Sequence, residues 1–230
     1  MHVPDGFLDA QTSIATGVVA AAGVAVALRG ARRELDDKTA PMAGLVATFV
    51  FAGQMMNFPV GAGTSGHLLG GALAAVLVGP FTAVLCISVV LLVQALLMAD
   101  GGITAIGTNI TLMALVGVVV GWGVFVLLRM LLPKQVALVA PAAAIGALVS
   151  VPVAATAFSA LFAIGGTVPV DAGAVFTAMV GWHVVIGIGE AVITGLVIGS
   201  VVAVRPDLVY GARPLLADCE LEIRRPGVAA

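Results

Sequence analysis

The chain is 230 residues long, 61% of them apolar and only 10% charged, with a mean hydropathy of +1.19. A water-soluble domain carries roughly 45–50% apolar and about 25% charged residues, so the composition excludes one; it also excludes disorder, which needs few hydrophobics and much charge. Aromatics are 5% and glycines number 29, leaving Val, Ala, Leu and Gly, the mix found where helices pack closely in lipid.

At about 20 residues per crossing, the apolar runs and their breakers predict seven spans, at 10–28, 42–57, 67–79, 81–99, 105–132, 136–163 and 175–204. The third is short, and only Gly79-Pro80 parts it from the fourth. The expected fold is all-α: a polytopic integral membrane bundle of about seven helices over 10–204, after an arm at 1–9 and before a polar tail at 205–230.

Charge placement supports the odd count. Arg29, Arg32, Arg33 and Lys38 lie in or beside the first loop, Arg129 and Lys134 flank the fifth, and Arg205, Arg213, Arg224 and Arg225 lie in the tail, so all 10 basic residues share one side. The other side has only Asp5, Asp9, Asp100 and Asp171. Basic loops mark the cytoplasmic face, which puts the tail inside and the N-terminus outside. Residues 1–13 carry no Lys or Arg, unlike the start of a secretory signal, so Met1 is expected to persist with a free amine. Cys86 lies in an apolar run and Cys219 in the tail, and no disulfide is expected between them. Lys38 and Lys134 are the only lysines and neither follows Gly, so a Walker-type phosphate loop is absent and ATP-driven work needs another chain.

Chemistry begins at the first residue. In Met1-His2-Val3-Pro4-Asp5-Gly6-Phe7, the amine, the next amide nitrogen and the His2 imidazole can close two fused chelate rings in one plane, leaving one corner open. Planar nitrogen sets favour Ni(II) or Cu(II). A solvated, frayed terminus is the alternative. The stretch from Gln54 and Asn57 through Gly61-Ala62-Gly63-Thr64-Ser65-Gly66-His67 reads as a glycine-rich turn, with Thr64 or Ser65 capping the third span and His67 in its first turn. There His67 could fill the open corner or merely hydrogen-bond near a helix start. In the last span His183 and Glu190 are two helical turns apart on one face. Intramembrane ionisable groups are candidates for function, so the pair is either a proton path or a buried structural pair bonding to Asn109, Gln94 or backbone. Asp100 to Thr104, with Thr108-Asn109, read as caps and turns.

The blocks MHVPDGF, QMMNFPVGAGTSGHLLG, LLMADGGITAIGTNI and GWHVVIGIGEAVITG together resemble the CbiM/NikM family, the substrate-specific membrane subunits of energy-coupling-factor (ECF) transporters for nickel and cobalt. The resemblance runs from residue 1 to about 195 and implies seven spans with the N-terminus folded into the bundle. It further implies a metal held by Met1, His2 and His67, with Asp5, Gln54, Asn57, Thr64, Ser65, Asn109, His183 and Glu190 as candidates to line the pocket or orient its ligands. Pro4-Asp5-Gly6 after the His favours nickel over cobalt by the family's habit. Val3 stands where Ile is usual and Thr111 where Asn is frequent, which puts a hydrogen bond from 111 to the site in doubt.

The resemblance also implies a multi-pass protein of the prokaryotic inner membrane, with no permanent cofactor and Ni(II) or Co(II) as cargo. Its partners would be a transmembrane coupling (T) protein, two ATP-binding subunits and room for a small auxiliary membrane subunit, but no nucleic acid. Gly17, Ala21 and Ala25, and Ala43 with Ala47, repeat every four residues and are candidate surfaces for a partner helix. Two rivals stand beside this reading: a rhomboid-like intramembrane serine protease, from the GxSG pattern Gly63-Thr64-Ser65-Gly66 with His183 as base, and a metal facilitator working without ATP.

Overall fold

The computed structural model describes residues 1–36, 39–61 and 64–217. Lys38, Gly63, Cys219, Arg224 and Arg225 lie outside the described residues.

Helix α1 (Ala10–Glu34) starts at Asp9, whose carboxylate accepts the Thr12 amide at 2.7 Å, and ends with Arg32 and Arg33 in its last turn. Both features complement the helix dipole. Its buried stripe of Thr12, Thr16, Ala20, Ala27 and Ala31 is small enough for neighbouring backbones to come close. Helix α2 (Thr39–Gln54) follows. The chain then leaves helical geometry for an antiparallel hairpin, β1 (Phe58–Gly61) and β2 (Thr64–Gly66). Beyond an irregular stretch comes α3 (Gly71–Val78), every residue of which is buried. Gly79, at φ 96°, turns the chain into α4 (Pro80–Leu97), with the proline at the start of the helix where its missing N–H costs nothing. Buried Glu34 caps α4 by accepting the Phe81 and Thr82 amides at 3.2 and 2.7 Å and the Thr82 hydroxyl at 2.9 Å.

Helix α5 (Ile106–Leu131) contains a π-helical stretch at Ile110–Val116. Helix α6 (Val139–Gly165) carries Pro152 inside it and packs along α7 (Ala172–Val204), whose first amides are capped by Asp171. A short α8 (Arg213–Ala217) follows.

Among the described residues, five stretches are long and apolar enough to cross a membrane: α1, α4, α5, α6 with the turn before it, and α7. Helix α2 has 16 residues, and the 8 residues of α3 span about 12 Å at 1.5 Å per residue, well short of the roughly 30 Å hydrocarbon core.

The third predicted span is therefore corrected. Thr64 and Ser65 are paired in β2 and do not cap α3; the cap position is Gly70, at φ 79°. His67 precedes the helix rather than occupying its first turn. A glycine-rich run does not propagate a helix, and a side chain at Gly71 would strike the Gly117 backbone of α5.

Five of the described basic residues line two neighbouring clefts. Arg29 and Arg33 border a cleft with Tyr210, and Arg129, Lys134 and Arg213 border another that shares Tyr210. Arg213 also pairs with Asp36 at 3.0 Å. The arm, the hairpin, residues 99–104 and residues 165–167 come together.

Two of the small residues suggested for a partner helix are used internally. Gly17 meets Gly107 of α5 so closely that no side chain fits at 107, and the Ala43 carbonyl accepts the Cys86 thiol at 3.5 Å. Ala47 is half-buried, whereas Ala21 and Ala25 are exposed.

Candidate metal centre

The arm is buried in the bundle: Met1 is 1%, His2 7% and Val3 0% exposed. Asn109, in the first turn of α5, holds Val3 from both sides, its Oδ1 accepting the Val3 amide at 2.7 Å and its Nδ2 donating to the Val3 carbonyl at 3.1 Å. The Gly102 amide donates to the same carbonyl at 2.8 Å. Asp5 accepts the Thr104 amide and hydroxyl at 2.8 and 2.5 Å, and these bonds hold its carboxyl below the usual range. Phe7 stacks on Phe158 and packs at a tilt against Phe162 of α6, and its carbonyl accepts the Thr167 amide at 3.2 Å. Asp9 donates its amide to the Gly165 carbonyl at 2.7 Å. A segment with so many fixed groups has lost its conformational freedom before any ligand arrives, which is preorganisation.

All three histidines have one ring nitrogen committed to an oxygen acceptor and the other bare. His2 Nε2 lies 3.1 Å from Gln94 Oε1, His67 Nδ1 lies 2.7 Å from the Leu68 carbonyl, and His183 Nδ1 lies 2.7 Å from the Met179 carbonyl. An oxygen acceptor requires the proton on the nitrogen facing it, so His2 Nδ1, His67 Nε2 and His183 Nε2 present lone pairs. All three atoms are buried with no hydrogen-bond partner. His2 Nδ1 stands 3.2 Å from Asp100 Oδ1, without the geometry of a hydrogen bond. Buried polar atoms are rarely left unsatisfied, and a lone pair kept bare invites an electrophile.

The rings of His2 and His67 lie together, their centroids 4.4 Å apart. The amine of Met1 is close enough to influence His2 and His67 electrostatically. Burial pushes the amine from its ordinary 8.0 down to about 4, against the pull of Asp100. Burial and then the amine push the His2 imidazole from 6.5 to about 4. Both groups are thus neutral near pH 7, as a metal ligand must be. Among the described residues no cluster of three or more His, Cys, Asp or Glu side chains is arranged to hold a metal.

The remaining candidates divide by position. Asn57, Thr64, Ser65 and Asp100 line a cavity of about 500 Å³ that reaches His2; Asn57 donates to Asp100 Oδ1 at 3.4 Å, and Thr64 to the Gly61 carbonyl at 2.7 Å. Gln54 donates to the Leu69 carbonyl at 2.9 Å, and Glu190 accepts the Leu69 and Gly70 amides at 2.7 and 2.9 Å. His183 and Glu190 both face inward, as their spacing predicts, but neither bonds to Asn109 or Gln94. Thr111 donates to the Thr16 carbonyl of α1 at 2.9 Å, which leaves Asn109 to hold the arm.

Sequence reasoning missed the contact of Gln94 with His2. The available signal is the single amide side chain in the apolar run of α4. It also read Asp100 to Thr104 as plain turn chemistry, although Gly102 and Thr104 are anchors of the arm and Ala99 sits at φ 53°, a strained conformation for a residue with a Cβ.

Residues 2–208 match the CbiM family, described as the cobalt uptake substrate-specific transmembrane region. A protein of Haloquadratum walsbyi named for metal transport is 40% identical over 210 residues, covering 91% of this chain and 94% of its own. A protein of Archaeoglobus fulgidus named as a fused nickel transport protein, NikMN, is 38% identical over 214 residues, 91% of this chain and 68% of its own. A crystal structure described as a transition metal transporter superposes with a TM-score of 0.82 at 30% identity, covering 96% of this chain and all of that one. The chain belongs to the CbiM/NikM family of cobalt and nickel transport components, multi-pass proteins of the membrane.

Proposed function

We propose that this protein is the substrate-specific component of an ECF transporter and captures one Ni(II), with Co(II) as the next preference, at the outer face of a prokaryotic inner membrane. The observation that carries this reading is the pair of bare, buried lone pairs on His2 Nδ1 and His67 Nε2, on rings 4.4 Å apart beside an amine that burial keeps neutral. Met1 amine, His2 amide, His2 Nδ1 and His67 Nε2 supply four nitrogens, a set suited to planar Ni(II). The relative named as a nickel transport protein and the Pro4-Asp5-Gly6 sequence support nickel.

The residues act in sequence. The cavity beside Asp100, with a carboxylate in its wall, draws a divalent cation toward His2. The His2 amide gives up its proton to solvent as the metal binds, while the amine and both imidazoles offer lone pairs already free. Residues 1–9 serve as the chelating arm, 10–204 as the membrane domain with the N-terminus outside, its third passage made by irregular chain from His67 running into the short α3 rather than by a full helical span, and 205–230 as the cytoplasmic tail. A coupling T protein and two ATP-binding subunits drive release inward, with Ala21 and Ala25 on the exposed face of α1 available to a partner helix.

Purified protein is expected to bind one equivalent of Ni(II) by calorimetry, and His2→Ala and His67→Ala are each expected to abolish tight binding. Equal affinity in either variant contradicts the proposal. Vesicles containing this chain alone are expected not to accumulate nickel; accumulation without the ATPase subunits supports the facilitator reading. Ser65, paired with Pro59 in the hairpin, is replaceable by Ala without loss of nickel binding, whereas the protease reading makes it the nucleophile.

A further inference from the structure

His67 comes from an irregular segment, and the ring bond to its own neighbour's carbonyl fixes only the ring's tilt, so something else has to place the residue. Three bonds from two other helices converge on the two peptide groups that follow Leu68. Glu190 of α7, 1% exposed, accepts the Leu69 amide on one carboxylate oxygen at 2.7 Å and the Gly70 amide on the other at 2.9 Å. Gln54, the last residue of α2 and 0% exposed, donates to the Leu69 carbonyl at 2.9 Å. The Leu69 amide, Leu69 carbonyl and Gly70 amide are thereby all taken, each by a buried side chain. Gly70 is at φ 79°, and a Cβ there would meet Val50 of α2. The segment is pinned from both sides within three residues of the imidazole.

We infer that Glu190, completed by Gln54, is the positioning residue that holds His67 Nε2 in the metal plane, acting through the Leu69 and Gly70 amides and touching no metal itself. The inference rests on the proposed metal site and assigns the buried carboxylate of α7 to metal geometry. A carboxyl group that accepts two successive backbone amides, one on each oxygen, fixes two peptide groups at once, which suits a ligand that must not drift. Glu190→Gln keeps shape and volume but sets an NH₂ against one amide N–H, so one of the two bonds becomes a repulsion.

The test uses full-length protein loaded with Cu(II), the divalent ion of highest affinity for nitrogen sites, so that the Met1 and His2 nitrogens still hold metal when His67 is withdrawn. Pulsed EPR reports how many imidazoles lie in the plane. Wild type is expected to show both, and His67→Ala only that of His2. Glu190→Gln is expected to resemble His67→Ala, with nickel affinity reduced about 10–100-fold. In the His67→Ala background, Glu190→Gln is expected to change copper affinity no further. Two imidazoles in Glu190→Gln, or equal losses in both backgrounds, overturn the inference and mark Glu190 as a plain cap of α3. If Glu190→Gln is not recovered folded, Gln54→Leu, which frees the Leu69 carbonyl, is read by the same signals, and two undisturbed imidazoles there overturn it equally. Wild type showing no imidazole at all contradicts the proposed site rather than the role of Glu190.

Discussion

Gln94 Oε1 accepts a hydrogen bond from His2 Nε2 at 3.1 Å, and this contact decides which nitrogen of His2 is left for a metal. The six-membered chelate ring needs Nδ1, so the proton has to sit on Nε2. Gln94 itself is oriented by Met55, whose sulfur lies 4.0 Å from Nε2 of the amide. Gln94→Leu, close in volume, removes the acceptor and is expected to lower nickel affinity by about 10–100-fold, measured by competition calorimetry. Unchanged affinity means that the tautomer is set by something else.

Asn109→Ala tests the docking of the arm. It deletes both bonds to Val3, each worth roughly 1 kcal/mol, which amounts to about 30-fold in affinity. Hydrogen exchange at Val3 and Gly102 is expected to accelerate in the metal-free variant. Protection equal to wild type contradicts Asn109 as the anchor.

Gly102→Ala tests the same docking by steric means. A Cβ at 102 meets the Asp5 amide and the Pro4 carbonyl carbon, whereas one at Gly123 meets nothing within 4 Å. Overpacking of this kind costs about 1–3 kcal/mol. Nickel affinity is expected to fall in Gly102→Ala and to hold in Gly123→Ala; parallel behaviour of the two removes the steric argument.

The pH dependence follows from the direction of the shifts. The Met1 amine and His2 imidazole are depressed from 8.0 and 6.5 to about 4 on burial, so the undocked arm binds more protons than the docked one. Docking stability is therefore complete above about pH 8, falls as pH drops through the undocked values, and is lost as it reaches about 4. It also follows that at pH 7 nickel displaces about one proton, from the His2 amide. A free peptide of the first seven residues, with its amine near the ordinary value, releases about two. Calorimetry in buffers of different ionisation enthalpy counts them, and release of two by the protein contradicts a buried neutral amine.

Much of this was legible in the sequence because hydropathy and charge act locally. The runs that became α1, α4, α5, α6 and α7 were visible, as was the break at Gly79-Pro80. Helix α3 was not, because hydropathy scores a fully buried eight-residue segment and a membrane span alike; only packing against α5 separates them. The hairpin was hidden for the opposite reason: Phe58-Pro59-Val60-Gly61 and Thr64-Ser65-Gly66 are too short and too rich in Gly and Pro to read as strands. Met1, His2 and His67 are proposed as ligands from chelate chemistry and family likeness. The contacts that set their tautomers and positions, from Gln94, Asn109 and Glu190, cross 92, 106 and 120 or more residues of chain, a distance at which spacing carries no information.

The proposed site requires the terminal amine itself to bind the metal, and adding a single alanine before Met1 tests that requirement. The extension leaves every side chain in place but turns the amine into an amide and moves the free amine out of the chelate. Native protein is expected to bind one Ni(II) and to show the visible absorption of planar nickel; the extended protein is expected to lose both. An extended protein that binds as tightly and with the same spectrum contradicts the account.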